Sequence, residues 1–258
     1  MLKIFKIIFL WIVIFSNTTL AQDSSIQKTH RLNFQTQFFQ IKEAANYGLV
    51  FNGLNLAFGY DFVKKGNHRL MSYSAELAFG VDFRHGIGLN WHFKPVDLFY
   101  GYEITVDSKK ELYLGPYLAT NYQWQLYPEL QSGHMFWFTF IDIGPKVIYD
   151  TTIGEKKFRI TFSNSIAGLA SRPIPATETT FYTLKFSDFL SNAHRNLKFG
   201  SFDLLNHSHL EIEWLNLNKK ELSLGYAFEY FGYYNNPKLN YLTHSFILHW
   251  KIGKNKMN

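Results

Sequence analysis

From Arg31 to Ile252, large apolar side chains recur on every second position, opposite polar, small or tyrosine residues. The run Glu111-Leu112-Tyr113-Leu114-Gly115-Pro116-Tyr117-Leu118-Ala119-Thr120-Asn121-Tyr122-Gln123-Trp124-Gln125-Leu126 is the clearest instance, its even positions almost all large and apolar. A β-strand sends successive side chains to opposite faces, so each such segment has one greasy face and one hydrophilic face. On this basis strands are predicted over Arg31–Phe39, Gly53–Phe62, His68–Arg84, Ile87–Phe93, Leu98–Ile104, Glu111–Leu126, His134–Val147, Phe158–Ile166, Tyr182–Ser187, Phe202–Asn216, Glu221–Phe231 and Tyr241–Ile252. That makes twelve strands; dropping Tyr182–Ser187 and fusing the two segments around Pro95 leaves ten as the alternative. Pro95 is expected to end a strand, because proline cannot donate to the ladder. In His134–Val147, Phe136, Trp137, Phe138, Phe140 and Ile141 make both faces apolar, and a bulge near Thr139 would switch the parity. Ser171–Thr180, with Pro173 and Pro175, reads as loop, and Asp188–Ser201 as a second long connection.

Rows of Phe, Leu, Ile and Trp repeated around a sheet need an apolar medium, while the opposite rows of Asn, Gln, Glu and Asp need water. A closed antiparallel barrel with hydrocarbon outside and a wet lumen satisfies both. The fold expected is therefore all-β: a single transmembrane up-and-down barrel formed by residues 22–258. No linker-like stretch divides that segment.

The N-terminus changes the picture next. Met1 to Ala21 runs from Lys3 and Lys6 through an apolar stretch, Ile7 to Phe15, to the small-residue end Thr19-Leu20-Ala21, which is the layout of a cleavable signal peptide. The apolar stretch is shorter than the roughly 20 residues of a spanning helix. Removing Lys3 and Lys6 lowers the formal charge from +6 to about +4. The remaining bases cluster at turns, as in Lys64-Lys65, Lys109-Lys110, Lys156-Lys157 and Lys219-Lys220. That placement suits lipid headgroups better than nucleic acid, so outer-membrane lipid is expected as a partner and nucleic acid is not. Aromatic residues make up 19% of the chain, more than alternate positions of an aqueous protein ordinarily hold, and a lipid face with interfacial girdles accounts for them. The absence of cysteine excludes disulfides and thiolate metal sites.

With its alternating segments behind an export signal, the whole mature chain resembles a Gram-negative outer-membrane β-barrel. The resemblance implies an even strand count, both termini at the periplasmic side and location in the outer membrane. Such barrels commonly end on an aromatic residue, whereas here Trp250 and Ile252 are followed by the polar stretch Gly253 to Asn258.

Three kinds of chemistry are open to such a wall. Asp203, His207, His209, Glu211 and Glu213 share one parity and would form a lumenal charged row. His207, His209 and Glu211 are the donors there that suit a divalent metal; a network of paired charges with Lys185, Lys251 or Arg159 is the simpler use of the same row. The resemblance also implies a second possibility, since lipid A deacylases and phospholipases occur among barrels of this size, with His and Ser two positions apart on one face. Here His207 and Ser208 are adjacent and face opposite sides, leaving Ser208 and the outward His244, two strands away, as the catalytic candidates. The third is transport of small ions or solutes past inward carboxylates such as Asp61, Glu76, Asp97 and Glu229. Ten or twelve strands enclose a narrow interior, so paired charges would seal it. The sequence thus favours a narrow pore or an envelope-structural barrel over a lipid-modifying hydrolase. It calls for no cofactor and leaves the oligomeric state undefined.

Overall fold

The computed structural model describes residues 26–44, 48–66, 68–84, 87–107, 110–127, 134–172, 193–217 and 221–252. The signal segment 1–21, the strand expected over 182–187 and Lys185 lie outside the described residues. Twelve strands are formed: β1 Gln27–Glu43, β2 Leu49–Lys65, β3 Arg69–Asp82, β4 Gly88–Asp107, β5 Lys110–Tyr127, β6 His134–Ile153, β7 Lys156–Asn164, β8 Ala167–Ser171, β9 Lys198–Ser201, β10 Leu205–Leu215, β11 Leu222–Tyr233 and β12 Leu239–Ile252.

All pairings are antiparallel, and ten strands form a closed ring in the order β1, β2, β3, β4, β5, β6, β7, β10, β11, β12 and back to β1. The barrel is therefore closed at ten. β8 and β9 stand outside the ring, yet each extends a stave of it. β8 continues β7 along the same edge of β6, since Ser163 faces Lys146 and Ala167 faces Ile143, one residue out of step. β9 pairs with β8 and leads through the turn at Ser201–Leu204 into β10, which pairs with β7. The step at Asn164–Ile166 brings the Asn164 carbonyl so close to Gly144 that a Cβ there would lie 2.0 Å from it.

Following opposed residues from Gln123 through His92, Ala78, Ala57, Gln35, Ile247, Gly225, Glu213, Arg159 and Asp150 returns to β5 at Glu111. That stagger, spread over ten strands, tilts the staves by about 40° from the axis, within the range of natural barrels.

Three sequence expectations change, one of them being that β9 forms at Lys198–Ser201 inside the stretch Asp188–Ser201 read as a connection. Pro95 does not end a strand: β4 passes through it with a bulge, Lys94 facing Glu76 and Asp97 facing Ser74. The proline sits in the two-against-one step, where ladder bonding is already interrupted, and the parity change between Phe93 and Leu98 follows from the extra residue. No bulge forms at Thr139, since β5 and β6 pair without a break from Tyr127 opposite His134 to Lys110 opposite Thr151. Both faces of β6 are apolar there for separate reasons. Phe136, Phe138 and Phe140 point into the barrel, while the outward Trp137 packs under Ala193 from the connection that follows β8.

The outer surface is apolar around the wall: Phe58 is 54% exposed and Phe246 59%. On β12 the outward row runs from Leu242 to Ile252, about 33 Å of strand or roughly 25 Å of height after tilt, which matches a hydrocarbon layer. At the end where the chain termini lie, Lys156 stands 4.6 Å from the Trp214 ring and Phe158 stacks on the same indole. This is the cation-and-aromatic chemistry of a headgroup boundary.

Replacing Phe58 with Arg is expected to cost about 2–4 kcal/mol when folding is measured in lipid vesicles, because the cation would lie in hydrocarbon. In a water-exposed wall the same change would lie within about 0.5 kcal/mol of neutral, and that outcome would remove the lipid assignment.

Candidate functional site

The lumen is layered. Nearest the longer connections, Phe39, Phe138, Phe140, Phe231, Leu239 and Tyr241 meet in a dry cluster. Phe140 and Phe231 stack with ring centres 4.3 Å apart, and Phe138 and Phe231 at 5.2 Å. Phe51, Tyr127 and Phe136 add a second cluster beside them. Arg172 pairs with Glu43 among these rings, both side chains buried. A lumen-facing aromatic would contradict a water-filled channel. Here the rings from β1, β6, β11 and β12 fill the bore as a core.

Beneath the aromatic layer lies a belt of amides. Gln123 donates to Asn90 at 2.8 Å, Asn90 to Asn55 at 2.9 Å, Asn55 to Gln37 at 3.3 Å, and Gln37 to Glu76 at 2.8 Å. His92 bonds Asn121 on the same level. Each link joins a different pair of strands, so the belt ties the wall across its inside.

The middle of the lumen holds part-buried ion pairs. Lys94 donates to both oxygens of Glu229, at 2.8 and 2.6 Å, and Lys146 to those of Asp97, at 2.9 and 3.0 Å. His207 bridges two carboxylates, with Nδ1 2.9 Å from Asp142 and Nε2 2.9 Å from Glu229. The Tyr117 hydroxyl donates to Asp142 at 2.8 Å. Basic side chains from β4, β6 and β10 thus face carboxylates from β4, β6 and β11, and the Lys94–Glu229 pair, which joins opposite staves of the ring, crosses the bore.

Toward the termini the packing loosens. A cavity of about 140 Å³ runs beside the ion pairs, bordered by Lys94, Lys146, His207 and Glu229 as well as Arg31 and His249, and a second of about 310 Å³ lies below it, bounded by Gln27, Lys65, Glu111, Asp150, Glu221 and Lys251. Together they make a charged vestibule that extends to the end of the barrel where β1 begins and β12 ends. In its wall Arg31 donates to Glu213 at 2.7 Å and stands 3.2 Å from Asp61, while Arg159 forms a double hydrogen bond with Asp150 at 2.7 and 2.8 Å. His249 lies between Asp61 and Glu211, at 3.3 and 3.2 Å, and His209 is 3.6 Å from Glu211.

The row expected to run from Asp203 to Glu213 is therefore divided. His207, His209, Glu211 and Glu213 all border one cavity, but His207 is held by Asp142 and Glu229 whereas His209 and Glu211 pair toward His249. The grouping of His207 with His209 and Glu211 as metal donors is not what the geometry assembles. Asp203 leaves the row altogether: it sits in the exposed turn before β10, accepting a hydrogen bond from Ser201. Parity was extended two residues beyond the start of the strand, where the chain no longer alternates. His249, which sequence reasoning passed over, is the residue that joins the cluster. It shares inward parity with Ser245 and Lys251, but only the β10–β11–β12 register reveals its neighbours.

Ser208 and His244 both face outward and are not brought together. Ser208 donates to Asn164 at 2.5 Å, and His244 bonds the Tyr226 hydroxyl at 2.6 Å. Two strand spacings, about 10 Å, already separate their strands. No proton transfer from serine to imidazole is open in this arrangement.

Replacing His207 with Leu would leave Asp142 and Glu229 facing each other in a buried layer, and a loss of about 3–5 kcal/mol in folding stability is expected. Denaturant titration of the refolded barrel would register it, with His244→Leu on the outer face as the comparison. Equal stability of the two variants would mean that the layer carries no buried charge.

No family model matches this chain, and no curated protein matches it. Among solved structures it is similar to the outer membrane protease OmpT from Escherichia coli, at 8% identity and TM-score 0.44, covering 91% of this chain and 99% of that one. It is also similar to the translocator domain of the autotransporter NalP from Neisseria meningitidis, at 8% identity and TM-score 0.47, covering 92% and 90%. For neisserial surface protein A the identity is 10% and the TM-score 0.37, with 88% and 99% covered. No residue role follows from likenesses of this kind. By its closed ring of ten strands and apolar exterior, the chain has the architecture of a transmembrane β-barrel.

Proposed function

We propose that the protein is an integral outer-membrane barrel whose bore is closed to diffusion, serving the envelope as a structural element with a vestibule open on the periplasmic side. The aromatic cluster carries this reading. Stacked rings anchored on different strands close the lumen at the aromatic end, and a bore closed at one level offers solutes no continuous polar path. Orientation is supported by the connections. At the end with the termini, β2 and β3, β4 and β5, and β6 and β7 are joined by short turns, while β8 and β9 at the other end are separated by residues 172–197. Short periplasmic turns and longer outer loops are the usual arrangement.

In planar bilayers the purified protein is expected to give no resolved conductance steps at 100 mV or so. Ohmic steps of uniform size would replace the closed-bore reading with a narrow pore. Orientation is checked by single cysteines, since the chain has none of its own. On intact cells, Lys42→Cys near the aromatic end is expected to react with an impermeant maleimide and Lys157→Cys near the termini to stay unlabelled. The reverse pattern would invert the proposed topology.

A further inference from the structure

We infer that the vestibule holds a divalent transition-metal ion, of the class of Zn²⁺, between His209, Glu211, Glu213 and His249. The inference does not depend on whether the bore conducts. Its geometry is that of donors around a shared centre. A tetrahedral site with bonds of about 2.0 Å separates its donors by roughly 3.3 Å. His249 Nε2 is 3.2 Å from Glu211, and His209 Nε2 is 3.6 Å from the same carboxylate. One donor atom each from Glu211, Glu213 and His249 lies within 4.8 Å of the others. Two imidazoles with two carboxylates is a donor set that suits zinc and its neighbours.

An independent observation separates this group from an ordinary salt-bridge network. His249 and Glu213 are 96% and 99% buried, yet neither ring nitrogen of His249 makes a hydrogen bond, and Glu213 Oε2 has no partner either. The His249 nitrogens stand at ion-pair distance from Asp61 and Glu211 without the alignment that a hydrogen bond requires. Buried polar atoms left this way are costly unless something else satisfies them. Charge points the same way. Asp61, Glu211 and Glu213 bring three negative charges, and among the described residues Arg31 is the one Arg or Lys bonded to them, since Arg159 is engaged by Asp150. With neutral imidazoles a deficit of two remains, which one divalent cation balances. The rival account places a proton on each imidazole instead, and it binds no metal.

The experiment uses the refolded chain without a histidine tag, titrated with Zn²⁺ in detergent and followed by calorimetry. One equivalent is expected to bind at micromolar concentrations or below. His249→Ala and Glu211→Gln should each weaken binding by roughly 100-fold, while His244→Ala on the outer face leaves it unchanged. Absence of stoichiometric binding, or binding indifferent to His249→Ala, overturns the site. Should those variants fail to fold, Cu²⁺ added to the unaltered chain decides. Electron paramagnetic resonance is expected to show nitrogen coupling from two imidazoles, and a spectrum without nitrogen coupling overturns the proposal.

Discussion

The constraint on which everything else rests is that a peptide group inside hydrocarbon must find its hydrogen-bond partner within the protein. An open sheet leaves two rows of donors and acceptors bare, each costing several kcal/mol in a medium without water. Closing the sheet removes them, and β1 meeting β12 over fourteen opposed residue pairs accomplishes it. Closure in turn fixes the tilt, the tilt fixes which residues share a level in the bore, and the levels fix the side-chain chemistry. His249 and Glu211 meet because β12 and β10 are staggered across β11, not because anything local directs them.

The interior answers a second demand created by the first. A ten-stranded cylinder is too narrow for bulk water and too polar on its inward rows to be left empty. The chain fills it in three ways along the axis: with stacked rings, with an amide belt, and with paired charges. The ion pairs hold because each buried cation faces a carboxylate on another strand, so the solvation lost on burial is offset by Coulomb attraction in a low-dielectric setting. Breaking one partner strands the other, which makes the charged layers intolerant of single substitutions in a way the outer surface is not.

Much of this was legible before any coordinates. Parity identifies the strands of the ring, their lipid-facing rows and the phase change around Pro95, though not the short β8 and β9, because period-two alternation is imposed by a wall with different media on its two sides. What parity could not show was depth. Phe136, Phe138 and Phe140 are inward although apolar, since the aromatic end of the lumen is a core and not a water channel. Asp203 was misplaced because alternation says nothing about where a strand stops. The vestibule cluster was half seen: the β10 row stood out, but its completing residues, Arg31, Asp61 and His249, come from β1, β2 and β12. Long-range register, not local pattern, joins them.

The interrupted staves leave the cylinder mechanically uneven. The junction of the chain ends is among the long seams of the wall, whereas β8 and β9 hold each other over four residue pairs. Lateral strain in the bilayer would accordingly concentrate beside the outward Leu169 and Phe199, at a place remote in sequence from either terminus. The weak seam of the wall lies away from the junction of its first and last strands.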